Sequence, residues 1–257
     1  MDSVLQKKCK EVKLTLTKQD FAILDEFKFD LQPVGVKYLV RSPEGISRLE
    51  QKMALCEMLK KAQGGEIFYA DMKNHTCEAG PYVLGQTEIE EQFVSGEFGA
   101  GLGVFKDARA AGRLYHYVPR IAKGVVNYVA FSPVDKLPYE PDVLIILANI
   151  DQAEILFRAM SYETGEMWSS NYSAAIGCSW LFVYPYINGK INFVTTGLGF
   201  GMRRRKLFPP GMQCISIPFD RLPSTLRILR EMPWAPEAFK PNGLEYVKDV
   251  RKKLGLE

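Results

Sequence analysis

Long apolar runs, histidines and paired cysteines are all scarce in this chain of 257 residues. No apolar run approaches the roughly 18–20 residues of a membrane span, and segments such as Val143 to Ala148 have only strand length. Residues Met1 to Leu16 also lack the apolar stretch of roughly 7–15 residues that marks a secretory signal. The sequence therefore predicts neither a membrane-spanning nor a secreted protein.

Sequence motifs for common metal sites are absent. The chain has two histidines, His75 and His116, and no HExxH motif, which excludes an all-histidine site and this zinc-protease signature. Its cysteines are scattered, odd in number and never at CxxC spacing: Cys9, Cys56, Cys77, Cys178 and Cys214. This pattern favours free thiols in a reducing cytoplasm over a disulfide framework or a zinc ribbon.

Charge of one sign is not in excess, since 33 basic residues face 30 acidic ones for a net charge of +3. That balance does not favour nucleic acid or a membrane surface as a partner. The composition, 47% hydrophobic and 25% charged, is typical of a globular protein. Because no low-complexity linker divides the chain, we predict one domain over residues 1–257, and homo-oligomerisation stays open.

Apolar periodicity predicts an α/β or α+β fold in which helices flank a mixed sheet. Strand patterns occur near residues 34–40, 66–70, 125–131, 143–147, 191–196 and 213–217. Helical patterns occur at 17–31, 47–63, 86–95, 104–113, 151–160 and 224–254, with a break at 233–236. Asp151 and Glu154 are spaced as a capping box, and Asn188-Gly189 as a hairpin turn.

Two short motifs occur twice. Residues 37–43 resemble residues 127–133, and residues 133–138 resemble residues 218–223, where both copies read Pro-x-Asp-x-Leu-Pro. The simplest interpretation is a strand–turn–helix unit used more than once, and an internal duplication remains open.

The strongest concentration of anion-binding chemistry is at residues 197–206. Gly197, Gly199 and Gly201 allow a backbone to approach a ligand closely, and Arg203 lies in a run of arginines that suits phosphate or carboxylate. Arg120, held by the preceding proline, is a second candidate for clamping an anion. We predict these five residues as ligand-binding, against the alternatives of a solvated basic turn and an ordinary ion pair for Arg120.

A second glycine-rich segment covers residues 96–103. It is not a P-loop, because no Gly-Lys-Ser/Thr follows. A flexible loop or a helix-packing turn is the expected structure, and a mobile segment here would act as a lid.

The cysteines offer a different chemistry. Cys77 lies in a polar loop, where a thiol is more often accessible and reactive, whereas Cys56 and Cys178 have apolar surroundings typical of core residues. If the three converge, their thiolates suit an iron–sulfur cluster or another soft metal. Their spacing neither supports nor excludes that arrangement.

Several short motifs occur in an order that resembles one family. They are Cys56 in its helix, residues 66–70, Cys77 with Gly80, residues 119–121 with Gly124, residues 140–143, and Gly201 with Arg203. Over about residues 34–229 the chain resembles the prokaryotic family catalogued as domain of unknown function 169. The resemblance implies a cytoplasmic protein of anaerobes, with family positions at Cys56, Cys77, Cys178, Arg120 and Arg203. It implies no established activity or cofactor, and it leaves residues 230–257 as a C-terminal helical extension.

Three functions follow as hypotheses. The first is binding of an anionic small molecule or cofactor, and the second is a redox, iron–sulfur or metal-binding role for the thiolates. The third is a protein-interaction module without catalysis. The sequence does not decide whether the protein is an enzyme, nor which ligand it binds.

Overall fold

The computed structural model describes residues 16–256. The predicted lack of a secretory signal rests on the N-terminal segment, almost all of which lies outside the described residues, as do Cys9 and residue 257. Within residues 16–256, every helix is too short or too polar to serve as a bilayer-spanning segment.

Six strands form one open sheet in the spatial order β2-β3-β1-β4-β6-β5. They are β1 Val34–Leu39, β2 Phe68–Asp71, β3 Tyr128–Pro133, β4 Val143–Ala148, β5 Asn192–Thr195 and β6 Gln213–Pro218. The predicted sheet with flanking helices is confirmed. All five neighbouring pairs are antiparallel, whereas a mixed sheet was expected. Periodicity does not encode strand direction, because direction depends on the end of the sheet to which each connection returns.

The helices lie before, between and after the strands. They are α1 Lys18–Phe21, α2 Leu55–Gln63, α3 Ala79–Val83, α4 Glu91–Val94, α5 Glu97–Gly101, α6 Ala108–Tyr117, α7 Ile150–Ser161, α8 Tyr184–Asn188, α9 Phe200–Arg205, α10 Leu222–Glu231 and α11 Gly243–Lys253. A π-helical turn, Ser179–Val183, precedes α8. The two helices α10 and α11 confirm the helical C-terminal pattern with its break between them.

Apolar side chains cover both faces of the sheet. Val143, Ile145 and Leu147 of β4 pack into a core with α2, α3, α6 and the π-helical turn. The alternate residues of β4, from Leu144 to Ala148, pack into a second core with α1, α7 and α10. All of β4 is therefore buried, as its continuous apolar sequence predicts.

The helix predicted over residues 47–63 begins only at Leu55. The preceding residues are extended, because the Leu49 N–H donates to the Tyr69 carbonyl at 2.7 Å. The buried Asn74 amide also donates to the Leu49 carbonyl at 2.6 Å. The Glu57 carboxylate accepts from the Ala54 N–H at 2.6 Å and caps the helix start. The helical spacing of Leu49 with later apolar residues is thus coincidental.

Two turn predictions are also wrong in detail. The capping box of α7 is Asn149 with Gln152, whose side chains each accept from the other's backbone N–H at 2.9 Å. Gly189 does not close a hairpin but ends α8, with φ of 60° and its N–H donating to the Pro185 carbonyl at 2.9 Å. The same residue types satisfy several turns, so only the neighbouring elements decide between them.

The repeated Pro-x-Asp-x-Leu-Pro motif adopts one local structure in both places. Pro133 ends β3 and Pro218 ends β6, and each is followed by a 3-10 turn, at Val134–Lys136 and Phe219–Arg221. The motif therefore specifies how a strand leaves the sheet. The structure adds no further similarity on which a duplication would rest.

Candidate functional site

A cavity of about 370 Å³ lies beside the first core, in the size range of small-molecule sites. Most of its wall is apolar, and the region of α4 to α6 contributes large apolar side chains to it: Ile89, Phe93, Phe98, Leu102, Phe105 and Leu114. The side chains of Phe98 and Leu102 are 47% and 44% exposed, so the cavity reaches solvent beside α5. It is therefore an accessible apolar site.

The second glycine-rich segment forms this wall. Residues 97–101 are helical, as α5, and α5 packs closely on α6. A Cβ atom on Gly99 would lie 2.9 Å from the Ala111 Cβ, and one on Gly96 only 2.0 Å from the Ala108 carbonyl oxygen. The helix-packing alternative thus describes this segment, since its glycines set the distance between the two helices.

Three cysteines from separate parts of the chain meet at this cavity. Cys56 lies in α2, Cys77 lies in the loop before α3, and Cys178 directly precedes the π-helical turn. Burial raises the pKa of Cys56 to about 11, partly offset by the charge of Arg205. Burial also raises the pKa of Cys178 well above its usual range, and the nearby Cys77 adds to this shift. Both of these thiols are therefore protonated at neutral pH.

The thiols are not arranged as a metal centre. Within residues 16–256, no group of three or more histidine, cysteine, aspartate or glutamate side chains is placed to hold a metal ion. The four cysteines of this range are free, and Cys214 is buried in β6, outside the cavity wall. The three cysteines that the sequence proposed as metal ligands thus line one cavity, without forming such a group within residues 16–256.

Tyr172 contributes a hydroxyl group to the same wall. The oxygen is buried, and although the Gly199 backbone lies close enough to lower the pKa of the hydroxyl, the hydroxyl proton has no acceptor among the described residues. Burial raises its pKa to about 12, helped by the neighbouring thiols, so the hydroxyl is a neutral donor. A Cβ atom on Gly199 would lie 1.9 Å from this oxygen, so only glycine allows Tyr172 its position. An unpartnered buried hydroxyl costs about 1–3 kcal/mol unless another group satisfies it.

The predicted anion-binding segment reaches the cavity only in part. Gly199 and Gly201 line it, together with Arg204 and Arg205 from α9. Gly197 and Arg203 lie outside the lining, and Arg203 is exposed to solvent. The helical turn explains the division, because consecutive residues of α9 point in directions about 100° apart.

Arg205 is held in place and Arg204 is not. The Arg205 side chain lies 3.6 Å from the Glu57 carboxylate and donates to the Gly201 carbonyl at 3.3 Å. Arg204 is exposed and forms no ion pair with the described residues. Glu78 is the acidic residue of the lining, opposite in charge to the two arginines.

Arg120 lies apart from the predicted glycine segment. Its guanidinium is 3.6 Å from the Glu88 carboxylate and stacks 5.3 Å from the Tyr82 ring centroid. With the exposed His116 it lines a separate pocket of about 260 Å³. The structure therefore assigns Arg120 an ion pair and a ring contact, and it does not bring Arg120 together with Gly199 and Gly201.

Sequence reasoning missed the larger part of this site. Tyr172 and the aromatic wall carry no motif, because their role arises only where distant segments meet. Arg204 and Arg205 were in view within the arginine run, but the run alone does not show which of its side chains a short helix turns inward.

Comparisons with known proteins give one result. No curated protein and no solved structure matches the chain. A family model described as DUF169, uncharacterised ArCR, matches residues 22–227. This range covers the first core, most of the second core and the whole cavity wall, and it is close to the range of the resemblance noted from the sequence. The chain therefore belongs to the DUF169 family.

Proposed function

We propose that the protein binds a small amphipathic anion, with an apolar body, in the cavity. The observation that carries this proposal is one apolar cavity whose wall also contains Arg204, Arg205 and the unpartnered Tyr172 hydroxyl. The apolar wall favours burial of a hydrophobic or aromatic group, and the arginines favour a carboxylate, sulfonate or phosphate. The Tyr172 hydroxyl then has an acceptor on the ligand.

The cellular setting is part of the same proposal. Free thiols at an accessible cavity suit a reducing compartment, so we propose a cytoplasmic location, and the family resemblance implies a prokaryotic source. A membrane, a nucleic acid or an obligatory protein partner has no comparable support, because the charges are balanced and the site is concave.

Anilinonaphthalene sulfonate, which joins an apolar ring system to one anionic group, is a suitable probe of this site. We expect the change Arg204→Gln to weaken its binding by about threefold, roughly 0.7 kcal/mol, since an exposed charge contributes little. The loss should shrink at high salt, where the charge is screened. Fluorescence titration at two salt concentrations measures both effects.

The matched control is Arg203→Gln, one residue earlier in α9 and outside the lining. It should leave the probe affinity unchanged. A loss in Arg203→Gln with none in Arg204→Gln would place the anion outside the cavity, as the sequence alone suggested, and would contradict the proposal.

Filling the cavity should block the probe. A Cβ atom on Gly201 meets only the Arg205 guanidinium, at 3.6 Å, so Gly201→Leu adds apolar volume at the wall without a backbone clash. We expect at least about a tenfold loss of probe affinity, since the leucine takes volume from the ligand. Gly101→Leu is the control, because Gly101 ends α5 with open space around it and does not line the cavity. Equal affinity in both variants would refute this location.

A further inference from the structure

Cys56, Cys77 and Cys178 bring three thiols to one cavity, and thiols have chemistry of their own besides binding a ligand. Cys77 and Cys178 are each partly exposed by surface area, although the Cys178 thiol itself is deeply placed, whereas Cys56 is 9% exposed and packs in α2 against the first core. A thiol that lines an accessible cavity reacts with molecules that enter it, while a core thiol does not. Cys77 and Cys178 are therefore the pair that an occupant of the cavity would meet.

The backbone around Cys178 has an unusual conformation. Ile176, two residues earlier, has φ of 56°, a left-handed conformation that costs a β-branched residue about 1–3 kcal/mol. A π-helical turn begins directly after Cys178, and such turns occur often at functional sites. The Ser179 N–H donates to the Ile176 carbonyl at 3.0 Å, and the Ser179 hydroxyl donates to the Pro119 carbonyl. The backbone thus adopts an unfavourable conformation next to Cys178, where that residue enters the cavity wall.

Cys77 is placed differently, on a polar loop at the solvent side. Its neighbours Thr76 and Glu78 are exposed and also line the cavity. Cys77 lines the same cavity as Cys56 and Cys178, and its charge adds to the raised pKa of both thiols. It is therefore the thiol that an incoming molecule reaches first, and the deeper Cys178 thiol lines the same cavity.

We propose that this cavity is a thiol–disulfide exchange site for small organic disulfides, with Cys77 as the attacking thiol and Cys178 as the resolving thiol. The Cys77 thiolate attacks one sulfur of the disulfide, forms a mixed disulfide and expels the first small thiolate. Cys178, which burial keeps protonated, then attacks the Cys77 sulfur; the mixed disulfide bond breaks, and the Cys178 proton passes to the departing second thiolate, which leaves as a thiol. The small disulfide is reduced to two thiols while Cys77 and Cys178 are oxidised to one disulfide, so electrons and protons balance.

The wall also indicates which disulfides fit. Aromatic side chains and Arg204 favour an apolar disulfide that carries a carboxylate, and this preference rests on the proposed function. The exchange chemistry itself does not depend on it. Dithiobis(nitrobenzoate), an aromatic disulfide with carboxylates, and dithiodipyridine, which is uncharged, therefore separate the two ideas.

The test uses the reduced full-length chain carrying Cys9→Ser, which removes the one cysteine outside the described residues. With dithiobis(nitrobenzoate) we expect release of two thiolates per chain and an intact mass lower by two hydrogens. Peptide mapping should then find a Cys77–Cys178 disulfide. Adding Cys178→Ser should stop the reaction at one thiolate, with a stable adduct on Cys77. Adding Cys77→Ser should slow thiolate release at least about tenfold, and Cys214→Ser is the control that should change nothing.

Peptide mapping and the comparison of the two disulfides distinguish the exchange chemistry from the proposed function. A stable adduct on the chain that retains Cys178, or a disulfide that uses Cys56, would overturn the assignment, and peptide mapping gives this answer even if a variant fails to fold. Equal rates with charged and uncharged disulfides, together with the expected disulfide, would support exchange while rejecting the anionic preference. Probe binding without any exchange would reject the thiol chemistry and leave the proposed function standing.

Discussion

Replacing Gly96 by alanine is expected to lower the free energy of unfolding by more than about 3 kcal/mol. Gly96 has φ of 89°, and a Cβ atom there would lie 2.0 Å from the Ala108 carbonyl oxygen and 2.4 Å from the Gly112 backbone nitrogen. Relief requires α5 to move away from α6, because neither contact is with a side chain that can rotate away. Urea denaturation measures the loss.

Gly103→Ala is the matched control for this change. Gly103 ends the same segment with φ of 68°, but no atom lies within 4 Å of its Cβ position. This change should lower the free energy of unfolding by only about 1–2 kcal/mol, because alanine is less stable than glycine in a left-handed conformation. Because α5 and α6 form the cavity wall, Gly96→Ala should also weaken binding of anilinonaphthalene sulfonate, whereas Gly103→Ala should not. Equal costs for the two variants would show that the close packing of α5 on α6 contributes nothing.

Acidification from pH 6.5 to pH 4 is expected to cost up to about 3 kcal/mol of stability through His75 alone. Burial lowers the pKa of His75 from 6.5 to about 4, against smaller opposing effects of the Gln86 side chain and the Asp71 charge. The Gln86 side chain lies close enough to the ring to oppose the shift but does not reach hydrogen-bond geometry, and neither ring nitrogen has a hydrogen-bond partner among the described residues. As the pH falls, His75 is therefore protonated near pH 6.5 in the unfolded chain but only near pH 4 in the folded chain.

The direction of the pH dependence follows from this difference between the His75 pKa values of the two states. Between these two pH values the unfolded state binds more protons, so stability rises with pH and is fully present above about 6.5. Urea denaturation at pH 7, 6, 5 and 4.5 should show the decline in the wild type and a much flatter profile in His75→Gln. His116, which is exposed, provides the control variant His116→Gln, with the wild-type slope. An unchanged slope in His75→Gln would disprove the role of His75.

Local patterns predicted most of the elements of this fold. The apolar run at residues 143–147 is a buried strand, and the Pro-x-Asp-x-Leu-Pro motif marks two equivalent strand exits. These predictions succeed because the signals are short and the structure satisfies them locally. The helix start at residue 47 was wrong, since hydrogen bonds from Tyr69 and Asn74, both distant in sequence, keep residues 47–54 extended.

For the candidate site too, the sequence provided local signals, and contacts between distant residues decided the rest. The sequence identified three cysteines and a basic glycine-rich segment as separate candidates, and it could not relate them. The structure places Cys56, Cys77 and Cys178 on one wall with Gly199 and Gly201, and it leaves Arg203 and Arg120 outside that wall. Tyr172 joins them only because Gly199 has no side chain to exclude its hydroxyl.

The sequence by itself determined the balance of charge, the strands and most helices, and the residue types that could carry chemistry. These properties depend on composition and on contacts between near neighbours in the chain. The tertiary structure alone decided the strand directions, the cavity and the membership of its wall. These depend on residues far apart in sequence coming together, such as Cys56 and Cys178 in one cavity wall and Gly199 against Tyr172, which no local pattern encodes.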